Sequence, residues 1–232
     1  MIYAKNVRLI AAAGLMGIAL FCTSPRALGQ KTDIGKLSSG GKLKPVQANM
    51  DIRKYILNLD VDIANKFIKG NTTVNLQLKN AADTILLDFI QHFTIESIKV
   101  DGKTVSFDHK EEKIFIKAAS NSPFSVGSHS VLITYEGNPP EAVRPPWLGG
   151  FTWSKDRSGN DWVSINIQKE GGRMYFPCKD HPSDEPNEGV EMNITVPAGL
   201  SVAGPGLLQK TVNKKNKSTF SWKTNYTCLL YT

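Results

Sequence analysis

The chain has 232 residues, 41% of them hydrophobic and 21% charged, with a formal net charge of +7. That length holds one large domain or two small ones, and the apolar content is too high for wholesale disorder. Arginine is scarce and the lysines are scattered among acids, apart from Lys210 and the Lys214-Lys215-Asn216-Lys217 turn. This pattern excludes the Arg and aromatic stripe of a nucleic-acid surface.

Lys5 and Arg8 precede the apolar run Leu9 to Cys22, and Ala27-Leu28-Gly29 follows. A basic start, a short apolar run and small residues before a cleavage point describe a secretory signal peptide over residues 1–29. The run is shorter than the ~20 residues of a membrane span, so no stable anchor is expected after cleavage. The bulky Phe21 argues against lipidation of Cys22. The expected location is periplasmic or extracellular. Removing Lys5, Arg8 and Arg26 lowers the formal charge from +7 to +4. Export permits a disulfide between Cys178 and Cys228, but two cysteines do not make a scaffold, and pairing stays open.

Residues 30–50 are rich in Lys, Gly and Ser without periodicity, and read as a flexible leader into a domain over 51–232. Leu57, Leu59, Val61 and Ile63 then alternate with Asn58, Asp60 and Asp62, and Val74, Leu76 and Leu78 with Asn75 and Gln77. This period of two predicts a long antiparallel hairpin with one wet face. Further strands are expected over Thr84 to Phe89, Ile95 to Val100, Lys103 to Phe107, Lys113 to Lys117 and Ser130 to Glu136. The Asp101-Gly102 pair marks a tight turn. Short strands between Asp, Gly, Asn and Ser turns predict an all-β sandwich.

Asn138 to Phe151 holds four prolines and a glycine pair, which excludes a central strand and predicts an ordered loop anchored by Trp147 and Phe151. A strand over Trp162 to Gln168 follows. Strands over Val190 to Val196, Leu200 onward and Thr219 to Thr224 complete the pattern, and Asn225 to Thr232 reads as a strand without its continuation.

The stretch from Gln168 to Pro186, dense in Gly, Pro, aromatics and acids, is not needed by ordinary sheet. His181 lies among Asp180, Asp184 and Glu185, but that spacing alone does not make a metal site. Cys178 with His181 three residues on is a poor nucleophile and base pair, because adjacent loop residues rarely reach the required geometry. His109 reads as solvated surface, and His92 and His129 as isolated turn residues. Gln168 and Glu170, beside Gly171-Gly172, have the chemistry to receive an ammonium group; from residue chemistry alone the favoured reading is that they stabilise their own crossover.

Gln168-Lys-Glu-Gly-Gly-Arg-Met-Tyr-Phe-Pro-Cys-Lys-Asp-His-Pro-Ser-Asp-Glu-Pro resembles the signature late in the N-terminal β domain of the M1 family of zinc aminopeptidases, which includes aminopeptidase N and leukotriene A4 hydrolase. The early hairpin, the Pro/Gly/Trp loop, and Ile194-Thr-Val-Pro-Ala-Gly-Leu with its Gly204-Pro-Gly-Leu-Leu turn are similar as well. The resemblance covers Met50 to about Thr227. It implies a saddle-like all-β domain lying against a catalytic domain, with Gln168 helping to hold the α-amino group of a peptide substrate. Tyr175, Phe176, Pro177 and Cys178 would support its turn. The family's zinc, its His-Glu-x-x-His motif and its Gly-x-Met-x-Asn loop belong to a later segment; Gly189-Val-Glu-Met-Asn matches neither in position nor in spacing. No cofactor and no catalytic residue is therefore expected within these residues. The chain is expected to be inactive alone, with the catalytic domain as its missing packing partner. A stand-alone secreted module binding peptides or glycans through Trp147, Trp153 and Trp162 is the alternative, and a fragment without function a third possibility.

Overall fold

The computed structural model describes residues 33, 36–145, 147–183 and 185–226. The signal peptide expectation, Asp184 and Cys228 lie outside the described residues. A single helical turn, α1 (Pro45–Ala48), leads into the hairpin β1 (Met50–Asp62) and β2 (Phe67–Leu78). Proline suits the first turn of α1, where its missing N–H has no partner to lose. In β1, Met50 and Ile52 are buried, the alternation slips at Arg53, and Tyr55, Leu57 and Leu59 are buried in the new phase. The pairing with β2 breaks between Ile52 and Lys54, so a bulge keeps both apolar sets on one face. In β2, a Cβ on Gly70 would lie 1.8 Å from the Asn58 carbonyl oxygen, so only glycine allows this approach.

The next strands are β3 (Thr84–Asp88), β4 (Phe93–Val100), β5 (Lys103–Thr104), β6 (Phe107–Lys110), β7 (Lys113–Lys117) and β8 (Gly127–Gly137). Asp101 and Gly102 both take positive φ, +50° and +79°, the twist that suits a two-residue hairpin turn. A ribbon of β9 (Gly150–Lys155) and β10 (Asp161–Asn166) precedes the crossover, and β11 (Val190–Pro197), β12 (Leu207–Lys214) and β13 (Lys217–Thr224) follow it. The main sheet has eight strands in the order β12-β13-β11-β1-β2-β8-β4-β5, and β3-β7-β6 form a three-stranded sheet. Ile85, Leu87, Ile114 and Ile116 of the smaller sheet share one apolar cluster with Tyr55, Leu57, Val74 and Ile133 of the larger. This is the all-β sandwich that the alternation predicts.

The sheet is not wholly antiparallel: β11 runs parallel to β1, from Tyr55 opposite Val190 to Asp60 opposite Thr195. Parallel neighbours need a connection that crosses between sheet ends, and here it contains the Gln168 to Pro186 stretch. On the outer face, Asn58 links Asn71 and Asn193 through side-chain hydrogen bonds of 2.9 Å each. A groove of about 360 Å³ there is lined by Asn58, Asp60, Lys69, Asn71, Asn193 and Thr195.

Several local expectations differ from the structure. No strand starts at Leu200; β12 begins only at Leu207. Residues 36–49 are not a free leader: α1 buries Gln47, and the segment before it bonds to the crossover. His109 is not simply solvated; its ring stacks on Phe89 at 5.7 Å and its Nε2 donates to the Phe89 carbonyl at 3.0 Å. Trp147 is no packing anchor, being 64% exposed, whereas Phe151 is buried. His129 is also buried, its ring held between Asp101 Oδ2 at 2.7 Å and the Ser125 carbonyl at 2.8 Å. No helix among the described residues is long and apolar enough to cross a membrane.

Candidate functional site

β10 ends at Asn166, opposite Gly150 of β9, so Gln168 sits two residues past the strand rather than at its end. The Gly171 amide donates to the Ile167 carbonyl at 2.8 Å and closes a turn over Gln168, Lys169 and Glu170. Gly171 has φ +85°, and a Cβ there would lie 2.2 Å from Asp180 Oδ1. Both facts require glycine.

The turn separates the two side chains that the sequence suggested as an ammonium receptor. Gln168 and Lys169 are exposed, whereas Glu170 is wholly buried. Neither Glu170 carboxylate oxygen has a hydrogen-bond partner among the described residues. The carboxylate lies against Gly149, where an added Cβ would come within 2.3 Å of Oε2. Of these two side chains, that of Gln168 belongs to an exposed residue and that of Glu170 to a buried one.

Beyond the turn the chain makes a 3₁₀ turn, Gly172–Met174, and runs inward. Met174, Tyr175, Phe176 and Cys178 are buried. The Phe176 ring meets Tyr55 edge-on at 5.5 Å and Tyr175 at 4.8 Å, a geometry favoured by the ring quadrupoles. The Tyr135 hydroxyl donates to the Tyr175 carbonyl at 2.9 Å and lies 3.2 Å from Thr72 Oγ1. Burial pushes the Tyr135 and Tyr175 phenols up. Lys179 donates from Nζ to the Met50 carbonyl at 2.7 Å, and its amide donates to the Tyr55 hydroxyl at 3.0 Å. Asp88 and Cys178 exchange two backbone hydrogen bonds of 2.7 and 3.1 Å, which zip the crossover to the end of β3. The Asp88 carboxylate accepts from Gln47 Nε2 at 2.6 Å and from the Asp180 amide at 3.1 Å.

Arg173 and Asp180 form a buried ion pair, Nε to Oδ2 at 3.0 Å. The Arg173 Nε–H points at the Glu170 carbonyl, also at 3.0 Å, so contact with Asp180 is by charge rather than by an aligned hydrogen bond. Burial raises the Asp180 carboxyl to about 6, against the opposing pull of Arg173 and the Ser39 hydroxyl, and nearby Asp88 adds to the rise. Burial, then Asp180 and Asp88, push the Cys178 thiol up and away from the nucleophilic thiolate. His181 is a hydrogen-bonded loop residue: Nε2 donates to the Gly41 carbonyl at 3.1 Å and Nδ1 accepts from the Ser183 hydroxyl at 2.7 Å. Glu185 is exposed. Among the described residues no three His, Cys, Asp or Glu side chains converge as a metal site would require. What remains is the exposed Gln168 beside a buried support. The supporting Arg173–Asp180 pair was not singled out from the sequence, because seven residues of separation in an irregular segment fix no spatial contact.

The peptidase M1 N-terminal domain model matches residues 52–228. Leucine aminopeptidase 2 of Vanderwaltozyma polyspora is 25% identical over 181 residues, which are 75% of this chain and 26% of that protein. Aminopeptidase N of Lactobacillus helveticus is 30% identical over 132 residues, 55% of this chain and 14% of that protein. The crystal structure of an M1 zinc metallopeptidase from Deinococcus radiodurans superposes with a TM-score of 0.57 at 22% identity, covering 75% of this chain and 39% of that one. Leukotriene A4 hydrolase of Saccharomyces cerevisiae superposes with a TM-score of 0.54 at 20% identity, over 76% and 27%. The chain thus spans about a quarter or less of these curated relatives, and the structural likeness bears on the fold. With the match covering most of its length, the chain belongs to the peptidase M1 N-terminal domain family.

Proposed function

We propose that the chain supplies the N-terminal, substrate-anchoring domain of an exported M1-type zinc aminopeptidase, which releases N-terminal amino acids from peptides. The observation that carries this reading is the exposure of Gln168 in a turn whose following residues, Glu170 to Asp180, are buried. A carboxamide oxygen accepts a hydrogen bond from the α-ammonium group of a peptide, and a bond to a charged donor contributes about 1.5–3 kcal/mol. An N-acetylated peptide offers no such donor, which is the basis of exopeptidase selectivity. The exposed side chains Val143, Trp147 and Trp162, carried by the loop and ribbon that lead to Gln168, would face a catalytic domain. Zinc there would activate water; among the residues described here no three His, Cys, Asp or Glu side chains converge on a zinc site. Export rests on the basic and apolar leader of the sequence.

The Trp147, Trp153 and Trp162 face of a stand-alone binding module finds less support. Trp153 is half-buried and stacks on Phe151 at 5.5 Å, so the three rings do not make one exposed surface. The test is an NMR titration of the chain with a short peptide carrying a free amine and with its N-acetylated form. The Gln168 side-chain amide should shift with the first and not the second, and a Gln168→Ala chain should lose the free-amine response. Equal shifts with both peptides would overturn the reading.

A further inference from the structure

We infer that the arm Ser38–Gly41 is a positioning strap for the Gln168 turn, with Ser39 as its central residue. The inference rests on the reading of Gln168 as an amine anchor. The Ser39 amide donates to the Lys169 carbonyl at 2.7 Å, and its hydroxyl donates to Asp180 Oδ1 at 2.7 Å. The Gly40 amide donates to the Asp180 carbonyl at 3.2 Å, and His181 Nε2 to the Gly41 carbonyl at 3.1 Å. Arg173 also donates to the Ser38 carbonyl. Lys169 and Asp180 lie on opposite limbs of the crossover, so the arm ties the limbs together from outside. It precedes residue 52, where the family match begins.

The turn needs such a tie because of Glu170. A buried carboxylate without hydrogen-bond donors favours any rearrangement that returns it to water. One backbone bond, Gly171 to Ile167, closes the turn on itself. The Ser39 amide holds the carbonyl next to Glu170, and its hydroxyl holds the Asp180 carboxylate against which Gly171 packs. With the strap released, Glu170 swings outward and Gln168 loses its fixed direction. Ser39 touches no substrate in this scheme; it acts through the turn.

Hydrogen exchange on the full chain tests this, comparing Ser39→Ala and Ser39→Thr with the parent. Losing a hydrogen bond to a carboxylate should speed exchange of the Gly171 amide by about tenfold. The Cys178 amide, bonded to the Asp88 carbonyl, should keep its protection, and Ser39→Thr should restore that of Gly171. The same Ser39→Ala chain should show a weaker response of the Gln168 side chain to the free-amine peptide. Unchanged Gly171 exchange, or equal acceleration at Gly171 and Cys178, would overturn the strap. A parent chain that fails to discriminate the acetylated peptide would instead overturn the anchor reading, and the exchange data would still decide the strap.

Discussion

Substituting Asp180 by Asn separates the two forces acting on the buried ion pair. The Asp180 side chain is completely inaccessible, and its carboxyl is raised from the ordinary 3.8 to about 6. Burial therefore outweighs the attraction of Arg173. A carboxyl raised on folding contributes stability that is fully present below its unfolded value and lost as pH rises through its folded value. The window runs from about pH 4 to pH 7. A rise of about two units corresponds to about 3 kcal/mol. Asparagine keeps the shape and can still accept the Ser39 hydrogen bond, but it does not titrate. Urea unfolding of the parent and the Asp180→Asn chain at half-unit pH steps gives the difference in stability directly. That difference should fall by about 3 kcal/mol in the parent's disfavour between pH 3 and pH 7. Parallel curves would refute the argument, and so would a parent that gains on the variant as pH rises, since Arg173 would then be the stronger influence.

Other parts of the support give further tests. Tyr135→Phe removes the hydroxyl shared by Thr72 and Tyr175 and should cost about 1–3 kcal/mol in chemical unfolding, because the buried Tyr175 carbonyl loses its donor. Gly149→Ala places a methyl group 2.2 Å from the Asn166 carbonyl oxygen and 2.3 Å from Glu170 Oε2, and the same assay should show a loss of about 1–3 kcal/mol. Cys178, buried and with its thiol raised, should resist iodoacetamide at pH 8 in the native chain and react in denaturant, as read by peptide mass mapping.

Much of the sheet was legible because its signals are local. The β1–β2 hairpin shows period-two alternation over two long runs, and Asp101-Gly102 carries its turn type in its own two residue types. The bulge at Arg53 was hidden because one inserted residue leaves composition unchanged and only shifts phase. The parallel partnership of β1 and β11 was equally hidden, since pairing of distant strands leaves no mark in either strand alone. In the candidate site, the density of Gly, Pro and aromatics identified the crossover, and the family motif pointed to Gln168. Which of Gln168 and Glu170 faces out depends on the positive φ of Gly171 and on contacts with Gly149 and Asp180, all of them tertiary. Ser38 to Gly41 looked featureless because it binds mainly through backbone groups, which every sequence possesses. His109 was misjudged for a related reason: its charged neighbours suggested solvent, while Phe89, twenty residues earlier, supplies the packing.

The central claim is that the Gln168 side chain holds the ammonium group of a peptide substrate. It is tested most directly by joining this chain to an M1 catalytic domain and comparing kcat/KM on amino-acid arylamides for the parent and Gln168→Ala. Loss of one hydrogen bond to a charged group predicts a fall of about 10–100-fold with the fold intact. Equal kcat/KM for the two proteins would contradict the account.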